Sequence, residues 1–226
     1  MKVNMFEFSD DSIRQRKYLP ILAVLSMMLM SCSGVLGNKL IATSFGAISA
    51  ASLVSPFWFI VGDIITEVYG FKTSIKIYLS VILSQLIFAI ICYLLIKIDS
   101  PVGWHGQDGF ELVLGNLVRV AIFQFVGMSI AWPLNAKLLS RWKFLVKGKY
   151  FGLRCIASSG LAMLLFTIIS VPLSLIGKIP PENIVTIVLV SCGLKIFFTI
   201  LLSFPCSLLV GWIKIREKLY ITSFHN

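Results

Sequence analysis

The chain is poor in the residues that do chemistry. Its 226 residues include two histidines, His105 and His225, and five scattered cysteines. No two cysteines are spaced as C-x-x-C and the histidines form no metal-ligand pattern, so the common zinc and redox motifs are excluded. Both histidines fall outside the apolar runs, which leaves neither a Ser-His-acid arrangement nor HExxH. No glycine-rich phosphate loop with its Lys-Ser/Thr ending occurs, so the chain does not hydrolyse ATP by itself. These gaps predict no enzyme, no cofactor and no metal site. Charge is scarce as well. Only 13% of residues are Asp, Glu, Lys or Arg, against about 25% in an average soluble domain. That is too little polar material to clothe a soluble core of this size.

What is present is apolar. Hydrophobic residues make up 58% of the chain and the mean hydropathy is +0.92. Six runs are long enough to cross a bilayer: about residues 18–38, 47–69, 77–96, 112–134, 155–177 and 185–212. The first is too long for a signal-peptide core and is read as a spanning helix. The cysteines Cys32, Cys92, Cys155, Cys192 and Cys206 lie in these runs as small buried hydrophobes. Residues 97–111, rich in Pro and Gly, form an irregular loop in which Trp104 is placed to anchor at an interface. The expected fold is an all-α membrane protein of six transmembrane helices. Its parts are a segment 1–17, one membrane domain 18–213 and a tail 214–226.

The formal charge of +10 is not a nucleic-acid signal, because no basic surface domain exists to carry it. Its distribution sets orientation instead. Six spans put both termini on one side. That side receives fifteen of the twenty basic residues, in segments 1–17, 72–76, 137–154 and 214–218. Only Lys39, Lys97 and Lys178 fall on the other. This asymmetry predicts cytoplasmic termini.

The chain is organised around SPFWFIVGDIITEVYG, residues 55–70. Asp63 and Glu67 are spaced i to i+4, so a helix puts both on one face with Pro56, Phe59, Ile60, Thr66 and Gly70. Two bases, Arg119 and Lys195, also lie within spans. Each of the four costs about 2.5–3.5 kcal/mol at a helix centre on insertion scales. At 1.5 Å rise per residue, Asp63 lies about 10 Å from the cytoplasmic surface, Arg119 roughly 12 Å from the outer one and Lys195 about 15 Å deep. These depths point to one polar zone, with Asp63 the candidate counter-charge of Lys195. Glu67 lies nearer the interface, where it can simply be solvated. Asn38 and Lys39 end the first span. They face either a cavity or a close helix contact. Two readings follow: interhelical ion pairs that fix packing, or a substrate pocket. By depth alone both Asp63→Asn and Glu67→Gln reduce transport, and Asp63→Asn reduces it more.

FIVGDIITEVYG resembles the second-helix signature of the queuosine precursor transporters, the VUT family of the YhhQ type. Asn38-Lys39, Arg119, and Lys195 followed by Pro205 also look like family positions, and the resemblance covers about residues 18–214. It implies an inner-membrane bacterial importer of 7-cyano- or 7-aminomethyl-7-deazaguanine for salvage into tRNA queuosine. The implied layout is similar to that of the substrate-binding subunits of energy-coupling-factor vitamin transporters. The implied substrate-binding residues are Asn38, Asp63, Glu67, Arg119 and Lys195. The carboxylates would take the N1–H and 2-amino edge and the bases the carbonyl side, with Phe59 or Trp132 stacking. Two positions depart from the pattern. Asn135 and Phe166 stand near where relatives often carry aspartates. The expected partners are a small 7-deazaguanine-type molecule and the lipid bilayer, and a homo-oligomer is compatible with the spans. The competing functions are a substrate-binding subunit that needs a separate energising complex, and a structural membrane subunit.

Overall fold

The computed structural model describes residues 16–177 and 179–217. The expected arm before residue 16, Lys178 and the tail beyond residue 217 lie outside the described residues. Among the described residues, six helices, or helix pairs, are long and apolar enough to cross a membrane, as the apolar runs predict. In chain order these are α1 (Leu19–Leu36), α2 (Ala51–Tyr69), α3 (Phe71–Ile96), the pair α4 (Gln107–Leu114) and α5 (Leu117–Leu145), α6 (Phe151–Leu175) and α7 (Pro181–Arg216).

The second helix is the axis of the bundle. Of its apolar window 72% is buried, against 22% for α3. It touches α1, α3, α5, α6 and α7. Lipid-facing positions explain the low figure elsewhere: Leu79, Leu83, Leu189 and Phe204 are exposed apolar side chains with only hydrocarbon to face. Gly70 alone separates α2 from α3. Its φ of +85° is the left-handed region that an L side chain resists, so the reversal falls on a glycine.

Two features differ from expectation. First, the second span begins at Ala51, not 47, because residues 40–49 form a hairpin. Strands β1 (Leu40–Thr43) and β2 (Gly46–Ser49) pair antiparallel, with Leu40 opposite Ser49 and Thr43 opposite Gly46. The turn is Ser44-Phe45. The Thr43 hydroxyl donates to the Gly46 carbonyl at 2.6 Å, and Gly46 takes φ +132°. Ile48 is buried and β2 packs on α7. Second, the fourth span is broken. Residues Gly115 and Asn116 separate α4 from α5, so Arg119 lies in the first turn of α5. At its other end α5 runs past residue 134 to Leu145, which carries Lys137, Arg141 and Lys143 on a continuous helix.

Candidate functional site

Three groups of buried polar side chains lie between the hairpin end of the bundle and the opposite, basic end. Helix α2 supplies the carboxylate of two of them.

Nearest the basic end, Glu67 is 1% exposed, so it is not solvated at an interface. Its carboxylate meets three cations from three helices. Arg154 at the start of α6 approaches Oε2 at 3.0 Å. Lys214 of α7 donates to Oε1 at 2.6 Å, and Lys143 of α5 stands 3.4 Å from the same oxygen while donating to the Glu67 carbonyl at 2.8 Å. Arg154 is itself 4% exposed and also donates to the Leu139 and Lys149 carbonyls. One acid therefore fastens α2 to α5, α6 and α7. The sequence placed these cations in solvated basic segments. The missed signal is that α5 and α7 run on as helices past the apolar stretch, so one face of each still points inward.

One turn along α2, Asp63 is wholly buried and every one of its partners is neutral. Asn135 of α5 donates to Oδ1 at 2.6 Å. From α6, the Cys155 thiol at 3.0 Å and the Ser159 hydroxyl donate to Oδ2. The i to i+4 spacing does put both acids on one face, since each reaches α5 and α6. Asn135, singled out as a departure, is thus a direct partner of the acid.

Below Asp63 lies an aromatic cluster. Trp58 and Trp132 stack at 5.8 Å with planes 4° apart, and Tyr78 stacks on Trp132 at 5.5 Å. Phe59 is fully buried beside them. The two rings nominated for stacking on a base, Phe59 and Trp132, are therefore core. The close approach of α2 to α5 here requires Gly62, because a Cβ at that position would collide with the Trp132 indole. Gly62→Val is expected to lower the melting temperature by the cost of overpacking, about 1–3 kcal/mol or more. Gly193→Ala, where a Cβ meets nothing within 4 Å, serves as the control and should leave it unchanged or raised. Equal melting temperatures for the two variants would show that the indole moves aside freely.

Towards the hairpin end is a cavity of about 40 Å³. Its polar lining is Lys195, Gln124 and six serines: Ser33, Ser49, Ser52, Ser55, Ser170 and Ser174. Phe166 and Phe123 supply rings, and no carboxylate lines it. Lys195 is 3% exposed. Its ammonium donates to the Thr167 hydroxyl at 2.8 Å and sits 5.3 Å from the centre of the Phe166 ring. No ion pair to Lys195 exists among the described residues, so the expected pairing with Asp63 is not made. The amide oxygen of Gln124 is buried with no hydrogen-bond partner. Gln124, Thr167 and the serines of α2 and α6 escaped the sequence reading. The signal was there: Gln124 is a lone amide in the apolar run IFQFVG, and Ser52/Ser55 and Ser170/Ser174 recur at helical spacing.

The other two nominated residues lie apart from this cavity. Arg119 is half-buried over the Phe123 ring and donates to the Leu173 and Ile176 carbonyls, at 3.4 and 2.7 Å. It closes the C-terminal end of α6, whose last carbonyls have no partner within the helix. Asn38, between α1 and the hairpin, reaches the Val113 carbonyl of α4 at 3.5 Å. The single zone inferred from depth is therefore several sites, and only Lys195 of the five nominated residues lines the cavity.

A family model described as "Putative vitamin uptake transporter" matches residues 49–210, more than two thirds of the chain. The match runs from the end of the hairpin through most of α7. It takes in both acids, the cavity lysine and Gln124, and leaves out Asn38 and Lys214. No curated protein and no solved structure matches.

Proposed function

Because the chain belongs to this family of vitamin uptake transporters, we propose that it imports queuosine precursors, 7-deazaguanine bases, across a bacterial inner membrane. The observation that carries this reading is the cavity of Lys195 and Gln124, a buried polar chamber at the hairpin end of an apolar bundle. It offers a donor in the ammonium, an acceptor in the free Gln124 oxygen and hydroxyls that serve as either. A 7-deazaguanine presents the complementary set: acceptors at O6 and donors at N1 and the 2-amino group. Phe166 and Phe123 give the flat ring an apolar wall. The chemistry needed is recognition and passage, with no bond made or broken.

At about 40 Å³ the cavity has room for a water or two and not for a bicyclic base. Import therefore requires its walls to part. The hairpin residue Ser49 and the α2 residues Ala51, Ser52 and Ser55 form one wall, and the end of α1 with α5, α6 and α7 the others. In this reading Lys195 and Gln124 contact the ligand, Asp63 and Glu67 hold the helices around it, and Arg119 and Asn38 brace the outer end.

The test is complementation. Cells that neither make nor import the precursor receive the chain and external 7-deazaguanines, and queuosine is assayed in their tRNA. Restored queuosine supports the reading. A chain that accumulates in the membrane and leaves the tRNA unmodified sinks it. The orientation is tested separately. A reporter fused after Lys147, in the turn between α5 and α6, should behave as cytoplasmic, as the basic bias demands. Periplasmic reporter activity there would invert the layout.

A further inference from the structure

The cavity carries one formal charge, that of Lys195. Its lining holds no Asp or Glu, and the ammonium has the Thr167 hydroxyl, the Phe166 ring face and the nearby Cys192 thiol for company. An ammonium has three donors, and only one is engaged by the protein. The buried centre thus has an uncompensated positive charge that asks for acceptors. Beside it, the Gln124 oxygen asks for a donor.

This pattern distinguishes the two precursors by charge. In 7-cyano-7-deazaguanine, O6 and the nitrile nitrogen lie on the same edge and both accept. One ammonium can serve that edge while Gln124 takes a donor elsewhere on the base. In 7-aminomethyl-7-deazaguanine the same edge carries an ammonium of its own at neutral pH. It would enter a buried cavity against a like charge, with no carboxylate in the lining to offset either.

Resting on the proposed import of deazaguanines, we infer that this cavity selects the neutral 7-cyano precursor and rejects the cationic 7-aminomethyl one, with Lys195 the residue that sets the preference. The full chain in detergent micelles is titrated with three probes at pH 7: the 7-cyano, 7-hydroxymethyl and 7-aminomethyl bases. The hydroxymethyl compound matches the aminomethyl one in size and lacks its charge. The 7-cyano and 7-hydroxymethyl bases should bind at least ~10-fold more tightly than the 7-aminomethyl base, since close like charges in a buried site interact more strongly than in water. In Lys195→Met the gap should close, with the 7-aminomethyl base gaining and the 7-cyano base losing. If that variant does not fold, the contrast between the hydroxymethyl and aminomethyl bases on the parent decides. Equal binding of these two, tight or weak, overturns the charge rule and leaves import standing. A folded chain that binds none of the three overturns the rule and the proposed import together.

Discussion

Glu67→Gln should cost more stability than any other conservative change at a polar position in this bundle. The carboxylate is 1% exposed and faces Arg154, Lys214 and Lys143. Removing its charge leaves three cations together without an anion. Breaking a buried pair by removing one partner costs on the order of 3–5 kcal/mol, because the remaining charge is stranded. The three cations do not suffer equally. Lys143 and Lys214 have side chains 37% and 17% exposed and long stems, so both can turn towards water. Arg154 is 4% exposed and cannot. Most of the loss should therefore come from Arg154, and Glu67→Gln combined with Arg154→Met should recover much of it. Asp63→Asn should be milder, since its partners Asn135, Cys155 and Ser159 are neutral and the two hydroxyl-type donors can rotate to accept. Melting temperature and membrane abundance of the three variants settle the order. A Glu67→Gln chain as stable as the parent would mean that this cluster contributes nothing to closing the basic end.

That order of stability is set by partners that depth does not reveal, and the reason lies in what a sequence encodes. Hydropathy and rise per residue fix how deep a side chain sits. They leave open the direction it faces and the partner it meets. The six spans, the central role of residues 55–70 and the shared face of Asp63 and Glu67 were legible, because each depends on periodicity along one helix. The partners of those acids were not, because they come from three other helices. Arg154 and Lys214 look like two more residues of a positive-inside bias until packing turns them inward. Arg119 follows a break at Gly115-Asn116 that the unbroken apolar run did not show, and its carbonyl partners come from the end of another helix. The hairpin at residues 40–49 was hidden because four-residue strands carry too little pattern to stand out beside apolar runs. Asn135 and Phe166 stood out as departures from a family pattern, and both contribute to polar sites, one to Asp63 and one to Lys195.

Lys195→Met separates a ligand-binding lysine from a packing one. If Lys195 served to neutralise Asp63, its loss would strand that acid, the protein would melt earlier, and Asp63→Asn on top would restore it. The geometry predicts otherwise. Lys195 bonds to Thr167 and faces Phe166, and the Asp63 oxygens are filled by Asn135, Cys155 and Ser159. Methionine keeps the unbranched stem and approximate volume, so packing changes little. It forfeits one hydrogen bond, about 1 kcal/mol, and it removes a charge that costs about 2.5–3.5 kcal/mol to place at mid-membrane. The melting temperature should therefore hold or rise. Uptake of the 7-cyano precursor should fall at least ~10-fold, because the ligand loses a charge-assisted donor in a buried site. Adding Asp63→Asn should restore nothing. A fall in melting temperature that the double variant reverses would make Lys195 and Asp63 partners. The cavity would then lose its selecting residue, and recognition would have to rest on Gln124 and the serines alone.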